Sequence, residues 1–116
     1  MVQYLQGRFG IDQGEVMPFS DFENDGPMWA GTGTREVRSP IAFSVPFSMP
    51  PLVQLGVTMW DISETAAMRL DVASEAIEAG GFTLRMRTWG DSRIARLRVA
   101  WIAFGACRDE EMWEVD

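Results

Sequence analysis

Apolar residues recur at every second position along most of this chain, a period that suits strands and leaves almost no helical pattern. Val53, Leu55, Val57 and Met59 alternate with Gln54, Gly56, Thr58 and Trp60. Phe82, Leu84 and Met86 alternate with Thr83, Arg85, Arg87 and Trp89, and Leu97, Val99, Trp101 and Ala103 mark one face of a longer run. Side chains on one face at every second residue are what a half-buried strand requires. The pattern predicts strands over 41–47, 52–60, 67–73, 82–89 and 94–105, with another in the first ten residues. Alanine and glutamate in 63–79 also suit a helix, but Met68, Leu70 and Val72 alternating with Arg69 and Asp71 favour a strand. Met49-Pro50-Pro51, Gly80-Gly81 and Gly90-Asp91-Ser92 supply the breaks and turns. Residues 11–33, with five carboxylates among glycines and prolines, read as the longest loop.

Short antiparallel strands with closely spaced turns predict an all-β fold, a small antiparallel sandwich of five or six strands. The 116 residues make one domain, 1–116, without repeat or linker. The strand over 94–105 carries a further signal. Its second face begins with Arg96 and Arg98 but continues as Ala100, Ile102 and Phe104. A strand apolar on both faces must be covered on both, and a domain this small has few loops to spare. A homo-oligomer is therefore expected.

Composition removes most chemistry. There is no histidine and one cysteine, so neither a zinc site nor an imidazole-assisted nucleophile can be assembled. No cofactor, no metal and no enzyme activity are expected. Cys107 cannot close an internal disulfide and reads as a buried or idle thiol. The net charge of −7 argues against binding a phosphate backbone, so no nucleic-acid partner is expected. Apolar runs are too short for a membrane-spanning helix, and the N-terminus lacks the pattern of a standard secretory signal. All ten basic residues are arginine, whose planar fork suits packed interfaces and recognition of hydroxyls or carboxylates.

Thr88-Trp89-Gly90-Asp91-Ser92-Arg93-Ile94, followed by Val99-Ala100-Trp101-Ile102-Ala103-Phe104-Gly105, is the most specific segment. With Arg35-Glu36, Ile41-Ala42-Phe43, Pro46 to Val53, Asp61, Arg69-Leu70-Asp71-Val72 and Gly80-Gly81-Phe82 in the same order, it resembles the H-type lectin family. That family includes the snail agglutinins and the C-terminal domains of slime-mould discoidins. The resemblance covers residues 34–105, preceded by an N-terminal strand and loop over 1–33 and followed by an acidic tail over 109–116. It implies a six-stranded sandwich assembling as a trimer, sometimes doubled to a hexamer. It also implies a carbohydrate, typically N-acetylgalactosamine, held between protomers without a required metal.

Carried over position by position, Arg69 matches the arginine that binds sugar hydroxyls, and Trp89 the tryptophan that lines the site from the adjacent protomer. Asp91 in the same turn is an acceptor for hydroxyls. Gly90, Ala95 and Thr32 fall where the animal lectins carry a histidine, a tyrosine and an aspartate, so three usual sugar contacts are replaced. The loop ahead of the match holds Asp25 and Trp29, which would compensate, although Trp29 packed over an edge of the sandwich is the simpler reading. Trp60 and Trp101 read as core or interface residues. Arg85, Arg87, Arg96 and Arg98 would cluster if 82–89 paired with 94–105, meeting Asp71, Glu36 or Asp61 of a neighbouring subunit.

Two functions follow. The first is a multivalent lectin at a cell or particle surface, released by a route other than a standard signal. The second is a structural or adhesion trimer decorating a larger particle such as a fibre, spike or tail, with little or no sugar binding. In the second, the acidic tail with Met112 and Trp113 would dock onto the partner.

Overall fold

The computed structural model of the protein describes residues 2, 4 and 6–107. Six strands form two three-stranded antiparallel sheets: β1 (Phe9–Ser20), β2 (Arg35–Ala42), β3 (Leu52–Ile62), β4 (Asp71–Glu78), β5 (Gly81–Thr88) and β6 (Ile94–Ala106). One sheet has the order β1-β6-β3 and the other β2-β5-β4. A 3-10 turn over Asp21–Asn24 and a single helical turn, α1 (Pro27–Ala30), lie between β1 and β2. The segment 109–116, expected as an acidic tail, lies outside the described residues.

The central strands are those with the clearest alternation. In β5, Phe82, Leu84, Met86 and Thr88 are buried, and in β6 so are Leu97, Val99, Trp101 and Ala103. The two sheets close on these side chains, with Phe43, Phe47, Phe82 and Trp101 forming an aromatic cluster at ring separations of 5.1 to 5.9 Å. Prolines respect the ladders: Pro18 and Pro40 lie in β1 and β2, both edge strands, where a missing N–H costs least. Pro18 falls where the β1–β6 register slips, between Val16 and Phe19.

Several boundaries differ from the sequence expectations. The opening strand is Phe9–Ser20, so half of the expected 11–33 loop is sheet. Both of its rows mix apolar with polar residues or glycine, Phe9 and Ile11 being exposed while Gly10, Asp12 and Gly14 face inward, which reads as loop in a sequence.

The strand expected at 41–47 lies earlier, at Arg35–Ala42. Phe43 and Phe47 do enter the core, but on irregular chain whose amides donate to the Gly80 and Ala79 carbonyls. The strand expected at 67–73 begins instead at Asp71, and 63–79 contains no helix. Trp101 is a core residue, whereas Trp60 is 58% exposed and is not.

The arginines expected to cluster are separated, because β5 and β6 belong to different sheets. Arg85 and Arg87 lie on the outer face of one sheet, where Arg85 pairs with Asp71 at 2.7 Å and Arg87 with Glu36 at 3.0 Å. Arg96 lies on the other sheet and pairs with Asp61 at 3.2 Å. The acidic partners named from the sequence are the right residues, but within one chain. Glu36 accepts from Arg87 and Arg38, which hold its carboxyl below the ordinary carboxylate range.

Topology also gathers three connections at one end of the sandwich. β1, β3 and β5 end there while β2, β4 and β6 begin there, so segments 21–34, 63–70 and 89–93 are neighbours. Every candidate site position named in the sequence except Ala95, which is the second residue of β6, lies on these three connections.

Candidate functional site

The 89–93 turn is held from below by two buried hydroxyls. Thr88, at the end of β5, donates from Oγ1 to the Arg69 carbonyl. Ser92 Oγ donates to the Ala67 carbonyl at 2.7 Å and accepts from the Arg69 amide at 3.0 Å. These side-chain bonds do for residues 67–70 what a ladder would have done, which explains why the strand starts late. They also fix Arg69 beside the turn.

Gly90 has φ of +70°, a conformation glycine adopts without steric penalty. Its missing side chain is the second reason Arg69 sits as it does. A Cβ there would stand 3.0 Å from Arg69 Nη1 and 3.3 Å from Cζ, so the guanidinium rests on the glycine backbone. From that position Nη1 donates to Asp91 Oδ1 at 2.6 Å and weakly to Ser92 Oγ at 3.4 Å. The hydrogen bond from Arg69 is the main reason the Asp91 carboxyl is held below its ordinary value of 3.8. Nε and Nη2 of Arg69 have no hydrogen-bond partner among the described residues. The pair therefore offers both donors and an anionic acceptor, with side chains 36% and 75% exposed. Trp89, 42% exposed, precedes Gly90 and Asp91 in the same turn.

The other expected positions divide. Thr32 is exposed beside the turn, because Gly33 N–H donates to the Gly90 carbonyl at 3.0 Å. Trp29 is half-buried, covered by Arg93, whose guanidinium carbon lies 4.4 Å from the ring centroid and whose Nε donates to the Trp29 carbonyl. Asp25 is exposed where the 3-10 turn ends, with φ of 52°, and no hydrogen bond or ion pair joins it to Arg69 or Asp91 among the described residues. Ala95 is 3% exposed within β6. Its methyl is withdrawn from the surface, so the position matched to the family's tyrosine, a candidate contact by that match, offers none in this chain.

Sequence reasoning passed over Arg35, Thr88 and Ser92, the buried polar residues beneath the site. A signal for Arg35 existed: period two places it on the inner face of β2 with Val37 and Ile41. No cluster of three or more His, Cys, Asp or Glu side chains able to hold a metal occurs among the described residues.

The pattern of the H-type lectin domain matches residues 38–104. The chain is 44% identical over 112 residues to a Fuscovulum blasticum protein called ATP synthase subunits region ORF 7, covering 97% of each. It is 32% identical over 75 residues to discoidin-2 of Dictyostelium discoideum, covering 64% of this chain and 29% of that one. Two solved structures of discoidin II from that organism superpose with TM-scores of 0.73 and 0.75 at 28% and 27% identity. They cover 83% and 85% of this chain, which spans little more than a third of theirs. With the domain pattern spanning more than half of the chain, this protein belongs to the H-type lectin domain family.

Proposed function

We propose that this protein is a multivalent carbohydrate-binding protein, a homotrimer or paired trimer in which each subunit carries a sugar site. The observation that carries the reading is the exposed Arg69–Asp91 pair resting on Gly90, in the turn that also carries exposed Trp89, with Arg69 and Trp89 the two positions that the sequence resemblance assigns to sugar contacts. A pyranose presents hydroxyls that both donate and accept, and a less polar C–H face. A guanidinium, a carboxylate and an adjacent indole complement those features. The pair is neutral as a unit, which suits a neutral sugar better than an anionic one.

Self-association draws support from the outer face of the β1-β6-β3 sheet. At the end away from the site, Phe9, Ile11, Leu52 and Ile102 are exposed, with Phe104 between Ile11 and Leu52 in the ladder. A contiguous apolar cluster on a sheet face suits burial against another copy. Each site alone would be weak, since hydroxyl contacts replace well-hydrated groups. Several sites on a rigid oligomer raise avidity by about 10²–10⁴ on a glycan-coated surface. A location outside the cell or on a particle surface goes with such a role.

The test is a glycan array under multivalent display at neutral pH, with native mass measured in parallel. The expected result is binding to neutral galactose- or N-acetylgalactosamine-type glycans by a species of three or six copies. Arg69→Ala and Trp89→Ala should each abolish binding and keep that mass. An oligomer that binds no glycan would overturn the reading and leave the structural trimer as the better account.

A further inference from the structure

We infer that Arg35 is the positioning residue of this site, a buried guanidinium that clamps the 89–93 turn to the 27–34 loop through backbone carbonyls. The functional half of this inference rests on the sugar-binding reading; the clamp itself rests on geometry. Arg35 is 8% exposed at the start of β2. Its Nε donates to the Gly33 carbonyl at 2.9 Å, and Nη2 to the Gly90 carbonyl at 3.1 Å. Nη1 donates to the carbonyls of Ser92 at 2.9 Å and Pro27 at 3.1 Å, with a longer contact to Met28 at 3.5 Å. No carboxylate pairs with it among the described residues; its charge is solvated by peptide dipoles from both segments.

This arrangement decides where the site's side chains point. The Gly90 and Ser92 carbonyls both turn inward to one guanidinium, and Asp91 between them is left facing outward, three-quarters exposed. The Gly90 carbonyl also accepts from Gly33, so the loop carrying Thr32 and the turn carrying Trp89 and Asp91 are tied at one atom. The loop packs on the stem as well: a Cβ on Gly31 would stand 2.7 Å from Arg35 Cδ. Only a planar fork with five donors can reach carbonyls on so many sides. A lysine ammonium, with three donors on one atom, cannot span them. Burial also lowers the pKa of Arg35, as expected of a cation compensated by dipoles alone.

The test is amide hydrogen exchange on the intact Arg35→Lys protein. Amides of 31–33 and 89–93 should exchange at least tenfold faster, with those of β3 and β6 unchanged. Unchanged turns, or an equal loss of protection everywhere, would overturn the clamp. The second measurement needs no variant. In the wild-type protein, the Arg35 guanidinium protons should give separate, slowly exchanging NMR signals, and a freely rotating, averaged guanidinium would overturn the clamp too. The positioning role is read with methyl galactoside and methyl N-acetylgalactosaminide as probes. Arg35→Lys should weaken binding at least tenfold at unchanged native mass, and loosened turns with unchanged affinity would overturn that role. A wild-type protein that binds neither sugar defeats the sugar-binding reading and the positioning role with it, whereas the exchange and NMR results judge the clamp independently.

Discussion

Arg69 rests directly on Gly90, with Nη1 at the distance where a β-carbon would begin to push it away. By the sequence resemblance, the glycine stands where the animal lectins carry a histidine. In this chain the guanidinium lies where a side chain on residue 90 would begin, within 2.6 Å of Asp91. The replacement thus converts a missing contact into a different one.

Gly90→His should therefore not supply the sugar contact that the resemblance assigns to a histidine there. The φ of +70° costs a non-glycine residue about 1–2 kcal/mol. The ring would also displace Arg69 from Asp91. The expected result is modest destabilisation, a carboxyl titration of Asp91 that returns toward the ordinary 3.8, and weaker rather than stronger sugar binding. Carboxyl NMR titration alongside glycan binding checks all three.

The pH dependence follows from the absence of histidine. Nothing in the site titrates near neutrality, and Asp91 and Glu36 are both held below their ordinary values by arginine hydrogen bonds. A carboxyl whose folded pKa is depressed contributes stability that is present above its unfolded value and lost as pH falls through the folded one. Sugar binding should be flat from pH 5 to 8 and fall only below about 4. Binding that halves between pH 7 and pH 5 would contradict the assignment of Asp91 as the acceptor.

How legible this was in the sequence depended on where each residue sits. β3, β5 and β6 were readable because each has a regular inner row of apolar side chains, and β6 showed both of its faces. β1 and β2 were misplaced because neither has a clean apolar inner row: glycines and Asp12 interrupt that of β1, which also bulges at Pro18, and Arg35 and Ser39 that of β2. The start of β4 was misread because the hydroxyls of Thr88 and Ser92 replace ladder bonds from about twenty residues away. Arg69 and Asp91 could be named from the family pattern, but their pairing within one chain could not. It depends on a glycine whose importance lies in what it lacks.

The core makes a stability prediction independent of any ligand. Leu84 lies in central β5 with no exposed surface, between the sheets. Leu84→Ala should cost about 2–5 kcal/mol through lost burial and a residual cavity. Denaturant unfolding should show a lower midpoint with unchanged slope. A loss under 1 kcal/mol would mean the sheets can close over the gap, contrary to a well-packed interior.

The outer apolar cluster makes the opposite prediction, for association rather than folding. Ile102 is 47% exposed in the single chain and lies opposite Gln13 and Gln54 in the ladders, one pleat from Phe104. A glutamate there would remain hydrated in a lone subunit, and surface changes of this kind shift folding by about 0.5 kcal/mol or less. In an oligomer that buries this face, the same carboxylate would be desolvated without a cation facing it, a cost large enough to dissociate the assembly. Ile102→Glu should therefore convert the native species to monomer while circular dichroism stays that of the wild type. Because the Arg69–Asp91 pair is formed within one chain, at the other end of the sandwich, it should survive that dissociation. Avidity on a glycan surface should collapse even so. An Ile102→Glu protein that keeps its wild-type mass would place the subunit contacts on some other face.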